Sequence, residues 1–206
     1  MRAVIAIALT LATASPLPAQ MQLPTMAPGK PDVRQVTPGT YKIDPAHSQL
    51  LFTVNHLGFT HYTGQFTNPS GTLVIEPAHP DAAKVNVTFP IANVQTTVPE
   101  LNEHLKGSDF FDAVKYPTAT FVSTKVIAKG TSATITGNLT LKGITKPIVL
   151  DAHFVGAGKA FWGEKKTNVG FTATASIKRS DFGMGIQVPL VGDRIDLVIN
   201  AGFEAE

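Results

Sequence analysis

The chain of 206 residues contains no cysteine. That excludes a disulfide scaffold, a thiolate metal centre and a cysteine nucleophile, and it leaves no residue near the amino terminus to accept a lipid anchor. Charge of one sign is also lacking: 17 Lys and Arg stand against 15 Asp and Glu, a formal total of +2. Lys165-Lys166 and Lys142 with Lys146 are the nearest approach to basic clusters. Solvated turns explain them at least as well as a polyanion surface, so nucleic acid is not an expected partner. Long hydrophobic runs are absent too, apart from Ala3 to Ala14, which is too short for the roughly 20 residues a membrane-crossing helix needs.

That run has its own reading. Met1-Arg2 is a short positive start, Thr10 and Thr13 alone interrupt the apolar stretch, and Ser15-Pro16-Leu17-Pro18-Ala19 supplies small and turn-forming residues before Gln20. This layout predicts a secretory signal peptide over residues 1–19, cleaved after Ala19, in preference to a buried or membrane-spanning helix. Residues 20–39 hold Pro24, Pro28, Pro31 and Pro38 with few bulky apolar residues, and predict an extended tether. Residues 40–206 are then one domain with a sizeable core.

What that domain does contain is alternation. Leu50, Phe52, Val54 and His56 share one parity, as do Val85, Val87, Phe89 and Ile91. Phe171, Ala173, Ala175 and Ile177 repeat the pattern with Thr172, Thr174 and Ser176 between them, and Ile195, Leu197, Ile199, Ala201 and Phe203 close the chain. Strands with one apolar and one polar face belong to antiparallel sheets. Ten candidate strands, several of about ten residues, form a sandwich or close into a barrel, and only closure removes every sheet edge. One interruption is helical, near residues 98–106: Thr97 and Glu100 are spaced as a capping box, Pro99 suits a first turn, and Leu101 and Leu105 share a face.

Four blocks of residues resemble the YceI family. They are Tyr41-x-Ile43-Asp44-x-x-His47-Ser48 with Phe52-x-Val54-x-His56-x-Gly58; Gly107-Ser108-Asp109-Phe110-Phe111-Asp112 with Tyr116-Pro117-Thr118-Ala119-Thr120-Phe121; Gly137 to Pro147; and Arg179-Ser180-Asp181-Phe182-Gly183-Met184. They occur in order from about Tyr41 to Phe203. The chain departs from the family pattern at Leu101-Asn102, where relatives often carry Arg-Asp. The resemblance implies an all-β fold, an extended, lipocalin-like antiparallel barrel of about eight main strands. It also implies export to the bacterial periplasm and binding of long polyisoprenoids or similar amphiphiles in an apolar tunnel, with no enzymatic activity. An isoprenoid quinone or a fatty-acid-like lipid is a cargo of the same kind. A homodimer and transient contact with a membrane or an envelope protein are further expected arrangements.

The residues expected to line such a tunnel are Phe52, Val54, Val87, Phe89, Phe121, Leu139, Phe171, Ile177, Leu197 and Ile199. Ordinary core packing accounts for the same residues equally well. Phe182 and Met184, in a glycine-interrupted segment, are expected to cover an opening, unless they only anchor their loop. His56 has inward parity and could reach a lipid headgroup, although a histidine bonded to backbone or water is the commoner case.

Catalysis and metal binding find little to stand on. Ser48, His47 and Asp44 supply the residue types of a hydrolytic triad, but they read as a strand-start network, with no nucleophile elbow and no oxyanion-hole helix start. His56 and His61 have opposite parity and so face opposite sides of the sheet. Neither catalytic nor metal-ligating residues are assigned. Three classes stay in view: a lipid carrier with a tunnel, an enzyme with convergent polar groups, and a structural or interaction barrel with a filled interior.

Overall fold

The computed structural model describes residues 23–161 and 164–206. The expected signal peptide, 1–19, and the first residues of the expected tether lie outside the described residues. Eleven strands are present among them: β1 (Gly39–Ile43), β2 (Gln49–His56), β3 (Thr60–Thr67), β4 (Ser70–Ile75), β5 (Lys84–Pro90), β6 (Val94–Gln95), β7 (Thr118–Lys129), β8 (Ser132–Leu141), β9 (Ile144–Lys159), β10 (Thr167–Lys178) and β11 (Val191–Ala205). One helix, α1 (Pro99–Lys106), interrupts them.

Every pairing is antiparallel, and the order β1-β4-β5-β7-β8-β9-β10-β11 returns to β1 through Tyr41 with Ala205, Lys42 with Glu204 and Ile43 with Phe203. The result is a closed eight-stranded barrel. The three remaining strands are continuations of broken ones. β1 and β2 lie in succession along the same edge of β11, which pairs with β2 through residues 191–200 and with β1 through 203–205. β3 and β4 are separated by a two-residue break containing Asn68 at φ 57°, and β5 and β6 by the turn Ile91–Asn93. β6 has only two residues, too short for alternation to reveal from sequence.

The breaks leave backbone groups outside the ladder, and local side chains take them up. Where β1 gives way to β2, the Gly202 carbonyl accepts from the Asp44 amide at 2.8 Å and from the Ser48 hydroxyl at 3.2 Å. The Gly202 amide in turn donates to Ser48 Oγ at 2.9 Å. Two tight hairpin turns, Leu57-Gly58 between β2 and β3 and Lys142-Gly143 between β8 and β9, have both central residues at positive φ. That backbone twist matches the twist of the flanking strands.

The helix begins differently from the capping box expected at Thr97 and Glu100. Its N-cap is Val98, with no side-chain cap. Asn102, from the second turn, reaches back instead: its Oδ1 accepts from the Thr96 amide at 2.7 Å and the Thr96 hydroxyl at 2.8 Å. Thr97 is engaged with the Tyr62 hydroxyl at 3.1 Å. One acceptor on Asn102 thus holds the strand exit against the helix, and the helix start needs no box.

The amino-terminal segment is docked from Lys30 onward, where an extended tether over 20–39 was expected. Lys30 and Ala157 exchange both backbone hydrogen bonds at 2.9 Å, Val33–Gln35 forms a 3-10 turn, and Val36 is buried with Tyr41, Leu73, Val169 and Phe203. The side chain of Tyr41 is fully enclosed. Its hydroxyl donates to the Thr37 carbonyl at 2.7 Å and accepts from the Thr37 amide at 3.2 Å. The packed domain therefore starts by Lys30, ahead of Thr40. Four prolines and few bulky apolar residues read as a tether, and the bridge at Lys30 with the buried Val36 seats the segment on the barrel.

Replacing Tyr41 by Phe should cost about 1–3 kcal/mol, because the Thr37 amide and carbonyl lose their enclosed partner. On the same strand, Lys42→Ala removes a side chain that is 73% exposed and paired only with Glu206; it should stay within about 0.5 kcal/mol of the parent. Urea midpoints at constant m-value measure both.

Candidate ligand-binding cavity

Closure turns one face of every strand inward, so alternation in sequence becomes a lining. The antiparallel registers keep inward positions level: Phe52 lies opposite Leu197, Leu50 opposite Ile199, and Phe171 opposite Ala201. Together these positions enclose a cavity of about 710 Å³, within the span of roughly 300–1,000 Å³ usual for small-molecule sites. Phe52, Val54, His56, Val87, Phe89, Phe121, Leu139, Phe171, Ile177, Met184, Leu197 and Ile199 all line it. Phe182 does not. It is 1% exposed and packs among Ile91, Val94, Leu141 and Met184. Phe182 anchors its loop and does not cover an opening: it belongs to the 3-10 turn Arg179–Phe182, and its ring tucks into the wall while Met184, beyond the turn, reaches the lumen.

Packed clusters flank the cavity. Near one end Val36, Tyr41, Leu73, Val169 and Phe203 pack together, with Phe154, Phe171 and Phe203 in edge-on contact at 5.7 and 6.3 Å between ring centres. Near the other, Phe66 links Phe52 at 5.8 Å to Phe111 at 5.3 Å, beneath α1 and the segment that follows it. At the margins of these clusters and along the wall, the inward side chains Phe52, Val54, Phe121, Leu139, Phe171 and Ile199 are only half-buried. They face inward and yet remain accessible, because what they face is space.

Two glycines help to keep that space. A Cβ on Gly64 would sit 2.3 Å from the Phe52 ring, and one on Gly137 would sit 2.3 Å from the Phe121 ring. Each ring lies flat on the wall over the strand next to its own, in the place where a side chain would otherwise push it toward the centre.

Apart from Thr120, Thr172 and Asn200 on the strands, the polar groups of the lining gather at the ends. Arg34, Thr131 and Ser132 stand at the end nearest the amino-terminal segment; His56, Tyr62, Thr96, His104, Arg179 and Gln187 stand at the other. Arg179 is the buried cation among them. Its guanidinium donates to the carbonyls of Met184, of Gly192 at 2.9 Å and of Val191 at 2.8 Å. Burial draws it below its ordinary pKa, and Asp193 opposes that shift. Asp193 is itself held below the usual carboxylate range by the Ser180 amide and hydroxyl. Arg179 therefore fixes the 184–192 loop over the lumen. Its inward position follows from the turn Arg179–Phe182, which alternation in the sequence cannot report. Leu101 of α1 also lines the cavity.

Also outside the expected set are Phe66, Phe110, Phe111, Phe154 and Phe203, all of which reach the cavity. Phe154 and Phe203 carried the period-two signal of β9 and β11. Phe110 and Phe111 carried none, since they lie in the non-repeating segment after α1.

The triad residue types are employed otherwise. Ser48 serves Gly202, as described, while His47 Nδ1 lies 2.6 Å from Asp44 Oδ2. Partial burial works against the Asp44 carboxylate, but the hydrogen bonds from His47 and the Ala46 amide outweigh it and hold the group below its ordinary pKa. His61 is opposite Asn55 on the outer face and His56 is on the inner one, as parity requires. Among the described residues no three His, Asp or Glu side chains are grouped to hold a metal ion. No helix among them is long and apolar enough to cross a membrane.

With this geometry in hand, three kinds of kinship are informative. The family described as the YceI-like domain matches residues 41–203. Protein YceI of Escherichia coli O157:H7 is 40% identical over 162 residues, covering 78% of this chain and 84% of that protein. Among solved structures, BcnA of Burkholderia cenocepacia superposes with a TM-score of 0.69 at 25% identity, covering 78% of this chain and 98% of that one. A polyisoprenoid binding domain from Saccharophagus degradans, implicated in plant cell wall breakdown, shares the fold with a TM-score of 0.57 at 16% identity, covering 81% and 98%.

The seating of Phe121 is open to test. Gly137→Ala places a methyl group against that ring and 2.7 Å from the Val122 carbonyl oxygen. It should cost about 1–3 kcal/mol by overpacking and turn the ring into the lumen. Urea denaturation reads the first effect and the displaced ring resonances of Phe121 read the second.

Proposed function

Because the chain belongs to the YceI-like domain family, we propose that it binds, stores or carries a long-chain isoprenoid or a similar amphipathic lipid inside the barrel, and performs no chemistry on it. The observation that carries this reading is the half-buried state of inward apolar side chains around a void of about 710 Å³. A barrel built only to be stable would fill that volume with its own side chains, since interiors close to crystal-like density. If about ten methylene groups leave water on binding, the gross gain is roughly 8 kcal/mol before association costs. Apolar contact alone then retains a cargo through purification. The polar groups at the His56 end suit a headgroup: imidazole, phenol and hydroxyl groups can hydrogen-bond a quinone or alcohol oxygen.

The fold shared with a polyisoprenoid binding domain supports the same cargo class. An isoprenoid quinone and a fatty-acid-like chain are alternatives of equal shape. We further propose that the site works outside the cytoplasm of a bacterium, in the periplasm or beyond, which rests on the signal-like residues 1–19.

Protein purified without detergent from a quinone-producing host should yield, on organic extraction and mass spectrometry, close to one long-chain amphiphile per chain. Val54→Trp, which adds bulk to the void, should lower that occupancy severalfold while changing stability by under about 1 kcal/mol; a filled core would lose about 1–3 kcal/mol to the same overpacking. Absence of extractable lipid from the parent, with the larger penalty for the tryptophan, would leave a packed structural barrel as the better description. Amino-terminal sequencing of protein taken from the native envelope should begin at Gln20, and a cytoplasmic product keeping Met1-Arg2 would refute export.

A further inference from the structure

The exposed apolar residues of this barrel are unevenly placed. Some, such as Val122, Val149 and Val198, are distributed over the outer faces of β7, β9 and β11, as is ordinary for soluble proteins. Five others stand on just two loops: Leu57 and Phe59 on the β2–β3 turn, and Ile186, Val188 and Leu190 on the loop before β11. Phe59 is 85% exposed and Leu190 is 66% exposed. The loops are joined, because the Leu57 amide donates to the Leu190 carbonyl at 2.9 Å and His56 pairs with Val191.

Position and charge give this patch a meaning. Each exposed residue is a chain neighbour, or a near one, of a residue lining the polar end of the cavity: His56 precedes Leu57, Gln187 lies between Ile186 and Val188, and Val191 follows Leu190. The collar is therefore continuous with the lumen. Neither loop carries a charged side chain of its own, since no Asp, Glu, Lys or Arg occurs from Leu57 to Thr60 or from Gly183 to Gly192, and Lys142, which donates to the Gly183 carbonyl at 3.4 Å, meets only the edge of the second. A protein partner in water is usually met by a polar, partly charged rim. Two apolar loops without charge of their own match the acyl boundary of a bilayer, where the penalty for burying charge would otherwise oppose insertion.

Resting on the cargo reading above, we propose that this collar inserts into the surface of a lipid bilayer and is the portal through which the cargo passes between membrane and cavity. The physical need is plain: a long apolar chain crossing open water would expose all of its surface, whereas a collar seated among acyl chains gives it an apolar path throughout. The loop before β11 is held in shape from within, because Arg179 clamps the carbonyls of Met184, Val191 and Gly192.

The test uses the whole protein, a Phe59→Ser/Leu190→Ser variant, and the isoprenoid naphthoquinone menatetrenone. Neither substituted residue lines the cavity, and both are exposed, so the urea midpoint should not move. With menatetrenone supplied in phosphatidylcholine vesicles, the variant should float with vesicles at least about tenfold less and acquire quinone about tenfold more slowly. Supplied in octyl glucoside that is then removed, the quinone should load both proteins equally. Equal flotation and equal uptake from vesicles overturn the portal. Failure of both proteins to load from detergent overturns the cargo reading instead, and flotation alone then decides the collar. If sedimentation shows a dimer of the parent that the variant loses, with flotation unchanged, the collar is a self-association surface and the proposal falls.

Discussion

The broken first strand joins the last along one seam, β1 through Tyr41 with Ala205, Lys42 with Glu204 and Ile43 with Phe203, and β2 through residues 191–200 of β11. Everything else in the molecule depends on that seam. Without it the sheet would present two unpaired edges, each a template for another chain. With it every strand has two neighbours, and the inner face becomes a surface with no way out except the ends. A seam between the two termini of the domain also makes its formation a long-range event, which local turns such as Leu57-Gly58 and Lys142-Gly143 prepare but cannot complete.

An eight-stranded ring is at the size where an interior can either be filled by side chains or hold a ligand. Here the balance tips toward space through small features. Gly64 and Gly137 let two phenylalanine rings lie back on the wall. Ala152 and Ala173 add little bulk to the cluster they share with Leu150. The large side chains collect toward the ends, around Phe203 and around Phe66. Bulk at the ends stabilises the barrel by apolar burial while the middle keeps its volume.

Polar side chains in this protein mostly serve backbone that the ladder leaves unpaired. Ser48 completes Gly202 between β1 and β2, Asn102 and Thr96 complete the approach to α1, and Arg179 completes three carbonyls of the loop before β11. The residue types that suggested chemistry are thus placed by a structural demand, satisfaction of interrupted strands. The same logic keeps charge away from the lumen centre, where an unpaired charge would be costly and an apolar chain would find no match.

Alternation alone determined a good deal: an antiparallel sheet with one apolar face, the inward set from Phe52 to Ile199, and the opposite facing of His56 and His61. Those are properties of a two-residue repeat and survive any arrangement of the strands. The resemblance of four sequence blocks added closure and the strand number. What only the tertiary structure decided lies where the repeat stops. Phe182 turned into the wall and Met184 into the lumen because a 3-10 turn, with a different period, separates them from β10. Lys30 and Val36 were drawn onto the barrel by contacts with Ala157 and Phe203, far away in sequence. Above all, packed core and hollow lumen share one pattern of apolar residues, and the difference between them is the distance across the ring, which is set by strand number and by where glycine lets a ring lie flat.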